Sequence, residues 1–473
     1  MPSFVRSLAF GLTLVVSATA VAQQNRFDQR NIDLWLGTQN NEDVRLRSER
    51  ADLAPLDTMF DWQWGGWLEY YVFTFQDGEQ NQRLLQRPAM ALWTRLRADD
   101  GAHEIFARMR LTYERFGIGD EFVRRTDWIG PNLDRGWYRI DIGRAFRLNQ
   151  PSDPLQLAVK VGRQNMQFGT GYVLDLPMDA VVIESQIHDF EISGLIGKTI
   201  ASFPNIDRSE PVDGHSNRHF FGVQVEYEGF DHHEPFGYVI WNNDRTDERP
   251  KDPFQDYAYD SRYFGIGSRG DLKHNLNYWF EVTYENGKSF GDGNFIRQDD
   301  ISAWGLDVGI EKVYDHPMRP RVMFEYMFAS GDGDRRLSPT NAAGGNRGDR
   351  EDTSFNAFGF RDTGIASNLV NSNLHVWKLG SSFTPFPDER RLRDLELGTN
   401  WFLYHKHQSS GALSDPTADM YSGYAGWEMD YYVNWRLSSD LSWTARWGAF
   451  FPGDAYSDRG TRHFLFTGLT WSF

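Results

Sequence analysis

Cysteine is absent from the 473 residues, and so is any apolar run of the roughly 20 residues that a membrane-crossing helix needs. The first absence excludes a disulfide framework, so stability must come from hydrogen bonding and packing. The second, with a mean hydropathy of −0.58, excludes a helical membrane protein. Positive charge is also short, with 49 Lys and Arg against 66 Asp and Glu, a net charge of −17. No basic run is segregated from this acidic background, which counts against a nucleic-acid partner. Only 40% of residues are hydrophobic, yet there are 17 Trp, 20 Tyr and 35 Phe. Few apolar residues but many aromatics suit strands with one apolar face and interfacial aromatic belts.

The first 22 residues read as a cleaved signal peptide. Arg6 is the only charge before a short apolar run, Leu8 to Val16, and Ala20-Val21-Ala22 supplies the small residues of a cleavage site. The apolar run is too short to serve as an anchor. Residues 23–60 are polar, with a heavily charged stretch at Asn40–Arg50, and read as an N-terminal tail or a first strand.

From Asp61 to Phe473 the pattern has period 2. In Glu104–Phe116 the apolar set Ile105, Ala107, Met109, Leu111 and Tyr113 alternates with Glu104, Phe106, Arg108, Arg110, Thr112 and Glu114. Leu276–Glu285 and Trp427–Leu437 repeat the alternation. A soluble sandwich would also alternate, but its strands are typically about 5–6 residues long, and these run to about 10, the length of a tilted membrane strand. Counting them predicts an all-β, closed antiparallel transmembrane barrel of about 18 strands, with 16 or 20 as the alternatives. Expected starts lie near residues 61, 86, 104, 137, 155, 179, 190, 218, 234, 261, 274, 301, 319, 372, 392, 426, 440 and 461, those at 179 and 190 resting on the weakest signal.

Connection lengths test this independently. After odd-numbered strands they are long, as at 117–136, 165–178, 243–260, 287–300, 332–371 and 408–425. After even-numbered strands they are short, as at Asp271-Leu272-Lys273 and Ser438-Ser439. Long external loops and short periplasmic turns are the rule for outer-membrane barrels, and an even count puts both ends in the periplasm. The alternating end Thr467–Phe473 resembles the C-terminal strand of Gram-negative outer-membrane proteins, read by the barrel assembly machinery. The expected location is the outer membrane, after cleavage near Ala22.

The polar parity should face the lumen. It carries Arg87, Arg95, Arg97, Arg108, Arg110, Arg139, Lys160, Arg321, Arg436 and Arg446, with acids such as Glu104, Glu226, Glu281, Asp307, Glu325, Glu428 and Asp430. In chain order the cations gather on early strands and the acids on later ones. Cross-bracing of a wet wall is the plainer reading of such charges, and an ion-selecting cluster the functional one.

Other candidates are weaker. His405 and His407 share a strand face as zinc ligands would, but with no third partner nearby they read better as rim aromatics. Ser330–Asp334 and Gly291–Asn294 are oxygen-rich but lack the spaced carboxylates of a calcium loop, and read as turns. Ser216 beside His215 and His219 is the nearest approach to a hydrolase site, with spacing ordinary for a polar loop. No nucleophile elbow or phosphate loop is present, so neither enzyme chemistry nor a metal or cofactor is expected.

Gly162-Arg163-Gln164, Phe358–Asp362, Phe402–Lys406 and, most specifically, Gly448–Tyr456 resemble the alginate export family of outer-membrane barrels. The resemblance implies an 18-stranded channel for an anionic polysaccharide or oligosaccharide, an alginate-like polyuronate. Arginines would attract its carboxylates, and a periplasmic polysaccharide-synthesis complex would be a candidate partner. The arginines in matching segments are Arg163, Arg361 and Arg446. Arg446 has lumen parity. Arg163 has lipid parity and should lie at a rim, after a bulge or in an infolded loop, whereas Arg361 lies in the longest loop. The family's long periplasmic turn before the penultimate strand is only Ser438-Ser439-Asp440 here. A general-diffusion porin for small solutes is the alternative, and a side-chain-filled adhesin a further one.

Overall fold

The computed structural model describes residues 60–76, 82–117, 127–146, 155–200, 217–245, 258–291, 298–335, 338–339 and 349–473. The expected leader, the polar segment up to residue 59, His215 with Ser216, and Asp292–Asn294 lie outside them. The strands are β1 (Phe60–Gln76), β2 (Gln82–Ala98), β3 (His103–Phe116), β4 (Asp127–Asp141), β5 (Leu155–Phe168), β6 (Leu174–Ile187), β7 (Phe190–Thr199), β8 (Arg218–Tyr227), β9 (His233–Asp244) and β10 (Asp260–Asp271). They continue with β11 (Leu276–Gly291), β12 (Gln298–Val313), β13 (Arg321–Ala329), β14 (Glu351–Asp352), β15 (Leu374–Phe383), β16 (Leu395–Lys406), β17 (Tyr424–Arg436), β18 (Leu441–Pro452) and β19 (Arg462–Ser472).

β1 pairs antiparallel with both β2 and β19, so the sheet closes on itself and leaves no edge. β14 is the exception to the wall: its two residues pair parallel to β12, while β13 passes directly to β15. The wall is therefore a closed antiparallel barrel of 18 strands. Among the described residues the one helix is a single turn, α1 (Ile142–Ala145), and no helix is long and apolar enough to cross a membrane. The chain crosses with strands.

Alternation sets which side chains face lipid. On β2, Arg83, Arg87, Ala91 and Trp93 are buried toward the lumen, while Leu84 and Leu92 are exposed outward. Ile105, Met109, Val181, Ile183 and Leu379 are likewise exposed, which suits a hydrocarbon-facing wall. Trp62 and Trp64 lie outward at the end of the barrel that carries the short turns. Only four residues, 437–440, separate β17 from β18, so the penultimate turn is as short as expected.

Several strands run further than the sequence pattern indicates. β4 begins at Asp127, not near 137, and β6 at Leu174, not near 179; β5 continues to Phe168. The expected loop 165–178 thus shrinks to residues 169–173. β1 and β2 reach 17 residues each, where about 9–11 cross the hydrocarbon. Above the bilayer the ladder persists, but its outward residues turn polar and the alternation of hydrophobicity fades.

Candidate functional site: a basic wall opposite a fastened loop

Strands β2 to β5 line one side of the lumen with cations. Ladder pairing sets Arg97 opposite Glu104, Arg139 opposite both Glu104 and Lys160, and Arg108 opposite Arg135, and residues opposite one another share a face. All six arginines expected there, Arg87, Arg95, Arg97, Arg108, Arg110 and Arg139, face inward. The carboxylates among them are outnumbered. Glu104 serves both Arg95 (3.0 Å) and Arg97 (3.8 Å), and Asp134 serves both Arg108 (2.8 Å) and Arg110 (3.1 Å). In each trio two guanidiniums face one carboxylate. Arg87 pairs with Glu114 at 3.2 Å, yet its Nη1 and Nη2 are buried with no hydrogen-bond partner. Arg139 reaches Glu184 at 3.5 Å.

Aromatic rings support this wall. Phe106 stacks between Trp93 and Trp137, with ring centroids at 6.2 and 5.6 Å. The Arg95 guanidinium lies 5.6 Å from the Phe106 centroid, and the Lys160 ammonium 4.3 Å from that of Trp137. These contacts hold long cationic side chains against the sheet at little cost in flexibility.

The opposite wall is different. Its acids are occupied by two segments that fold into the lumen, residues 169–173 and 353–373. Glu281 accepts the Thr170 N–H and hydroxyl, both at 2.7 Å. Glu285 accepts the Asn356 N–H at 2.9 Å, and Glu428 accepts those of Ala366 (2.7 Å) and Ser367 (2.8 Å). Phe358 forms a parallel bridge to Leu174, and Phe355 stacks on Tyr172 at 5.7 Å. The longest loop therefore spans from the β13–β15 side to β6 and narrows the channel.

Arg361 sits at the joint of the two segments. It pairs with Asp307 at 2.6 Å, donates to the Thr170 carbonyl at 3.0 Å and to the Thr170 hydroxyl, and lies 5.7 Å from the Tyr172 ring. Burial opposes its charge, but Asp307, Glu325 and Glu281 outweigh that and hold the guanidinium above its ordinary value. The next residue, Asp362, bonds Arg446 (3.0 Å) and Lys378 (3.4 Å). Burial works against this carboxylate too, yet Arg446 and Lys378 hold it well below the usual carboxylate range. Arg446 also bonds Asp430 at 2.6 Å and is itself 1% exposed, so it faces the lumen but fastens the loop.

Arg163 does not join either group. It lies on the outer face, where it pairs with Asp179 through two bonds of 2.8 and 3.1 Å and donates to the Leu133 carbonyl. Gly162, at φ +133°, precedes it, but the facing of the strand does not invert, because Gln164 is buried inward. Its lipid parity is the correct guide, and its candidacy as a pore residue is corrected. Among the weaker candidates, His405 meets Trp377 edge-to-face and Tyr424 at a tilt, and the His407 Nδ1 accepts the Gly331 N–H. Asp332 accepts the N–H groups of Asp334 and Thr353, as a turn residue does. Among the described residues no group of three or more His, Asp or Glu could hold a metal ion. The infolded segments left no signal in the hydrophobic pattern, although the conjunction of a loop arginine with unpaired wall acids was visible.

Closed wall, sorted connections and charged, constricted lumen define an outer-membrane channel of the porin type. The Alginate export family model matches residues 139–467, and the chain belongs to that family. No curated protein matches the chain. Solved structures match over 87% of its length: a BenF-like porin from Pseudomonas fluorescens Pf-5, at 12% identity, 98% of that chain and a TM-score of 0.54, is one. OccK8 (OprE) of Pseudomonas aeruginosa, at 10% identity, 98% of that chain and a TM-score of 0.53, is another. At such identities the likeness is one of fold.

Proposed function

We propose that the channel passes an anionic polysaccharide or oligosaccharide, a polyuronate of the alginate type, along the basic wall. The observation that carries this reading is the imbalance on β2–β4, where Arg95 and Arg97 share Glu104, and Arg108 and Arg110 share Asp134. A guanidinium is planar and pairs with a carboxylate through two parallel bonds. Successive uronate carboxylates can exchange along such a row without any single site binding tightly enough to stall the chain. The net charge of −17 does not oppose this, because loop carboxylates and lumen arginines act as separate fields.

Arg361 and Arg446 have a different role in this reading. Their charges are taken up by Asp307, Asp362 and Asp430, so they set the width of the channel and do not draw the polymer. The substrate passes between the loop they fasten and the basic wall. In the cell, an assembly machinery reading the C-terminal strand and a periplasmic synthesis complex supplying polymer are the partners this function calls for.

The test is planar-bilayer conductance with oligouronates. Current block by the oligomer in the wild type, lost in Arg108→Ala/Arg110→Ala, supports the reading. Large unselective conductance untouched by the oligomer would make the protein a general-diffusion porin.

A further inference from the structure

The outer face of β7 to β10 carries cations that the channel does not use. Lys198 lies one residue before the end of β7, His219 is the second residue of β8, Arg245 follows β9 and Arg262 lies near the start of β10, all at the long-loop end of the wall. The ladder sets Lys198 opposite His219, His219 opposite Asn243, and Arg262 opposite Trp241, so these side chains share the outward face. Lys198, Arg245 and Arg262 are exposed.

Among the described residues the acids on this face are few and engaged. Asp179, which the ladder sets directly opposite Lys198, gives both oxygens to Arg163, and Asp260 accepts the Asp244 N–H at 2.8 Å. Among the described residues Lys198 and Arg262 have no ion pair, and the Arg245 guanidinium donates to the Asn243 side-chain oxygen, at 3.2 Å. Directly beneath lie Ile196, Phe221, Trp241 and Phe264, exposed by 60%, 43%, 41% and 43%. They mark the upper edge of the apolar band. Among the described residues the far side differs: at the same end β15, β16 and β19 present His375, His405 and His463 beside Trp377, Tyr424 and Trp447.

We infer that Lys198, Arg245 and Arg262, with His219, form a site for the phosphate groups of the outer-leaflet glycolipid, whose acyl chains lie on Ile196, Phe221 and Trp241. Cations fixed just above an apolar strip match a ligand with phosphate above and hydrocarbon below. Among the described residues three exposed cations without a carboxylate partner gather within these four adjacent strands. Lys and Arg placed at a charged lipid surface each add attraction within about one Debye length, ~8–10 Å.

The test is native mass spectrometry of the purified full-length barrel in detergent with bisphosphorylated lipid A. The wild type should retain the lipid, Lys198→Gln/Arg245→Gln/Arg262→Gln should hold it at least about tenfold more weakly, and both should conduct alike. Lipid A stripped of its phosphates, added to the wild type, is the second arm and needs no variant. Equal retention of the phosphorylated and stripped lipids, or by wild type and variant, would overturn the site. Inorganic phosphate binding as well as the lipid would overturn the lipid as its source.

Discussion

The two walls of the lumen hold similar side chains and use them differently. On β2–β4 Glu104 and Asp134 are each shared by two guanidiniums, and arginines outnumber carboxylates. On β11–β13 and β17 the carboxylates Glu281, Glu285, Asp307, Glu428 and Asp430 are taken up by backbone N–H groups and by Arg361 and Arg446. One wall carries more guanidiniums than carboxylates, and the other uses its charges to fasten a loop. What separates them is the stoichiometry of the pairing, since residue type alone would make every inward arginine a ligand.

The largest expected effect breaks the architectural wall. Arg446→Ala leaves Asp362 and Asp430 buried without their shared cation, a loss of about 3–5 kcal/mol. It should lower the denaturation temperature of the barrel in detergent and raise single-channel conductance as the loop loosens. An unchanged melt would mean that the loop is held otherwise.

Reversing the basic wall comes next. Arg108→Glu/Arg110→Glu turns the trio with Asp134 into three carboxylates, and the reversal potential in a salt gradient should change sign toward cations. Oligouronate block should weaken at least about tenfold, or 1.4 kcal/mol. Retained anion preference would place selectivity elsewhere.

A smaller effect concerns pH. Because Arg446 and Lys378 depress the Asp362 carboxyl, its contribution is complete above the ordinary carboxylate value and is lost only as pH falls through the depressed folded value. Between pH 7 and 4 the conductance should therefore show no widening from Asp362, and the single-channel step should grow only in stronger acid. Growth beginning near pH 5 would contradict the clamp.

The smallest effect is at Arg163, on the outer face with a half-exposed partner, Asp179. Arg163→Ala should change stability by no more than about 1 kcal/mol and leave reversal potential and block unaltered. A shift in selectivity would mean that the outer face communicates with the lumen.

Most of the fold was legible because a lipid-facing strand must be apolar at every second residue. Glu104–Phe116 and Leu276–Glu285 announce their faces without any tertiary information, and six of the inward arginines on β2–β4 follow from the same parity. The signal fails where lipid ends. Asn165, Gln167 and Asp175 lie on the outer side of a continuing ladder and read as loop, because nothing requires them to be apolar. The division of labour between the walls was not legible. Asp307 and Arg361 are 54 residues apart, and Thr170 and Arg361 191 apart, so only the closed barrel brings them together.

The central claim is that surplus positive charge on β2–β4 draws carboxylates through the channel. Reversal potential across a planar bilayer, measured for the purified barrel in a salt gradient before and after adding oligouronate, tests it most directly. The account predicts anion preference in the wild type, with current block by the oligomer that requires Arg108 and Arg110. An unselective current that the oligomer does not touch would contradict it.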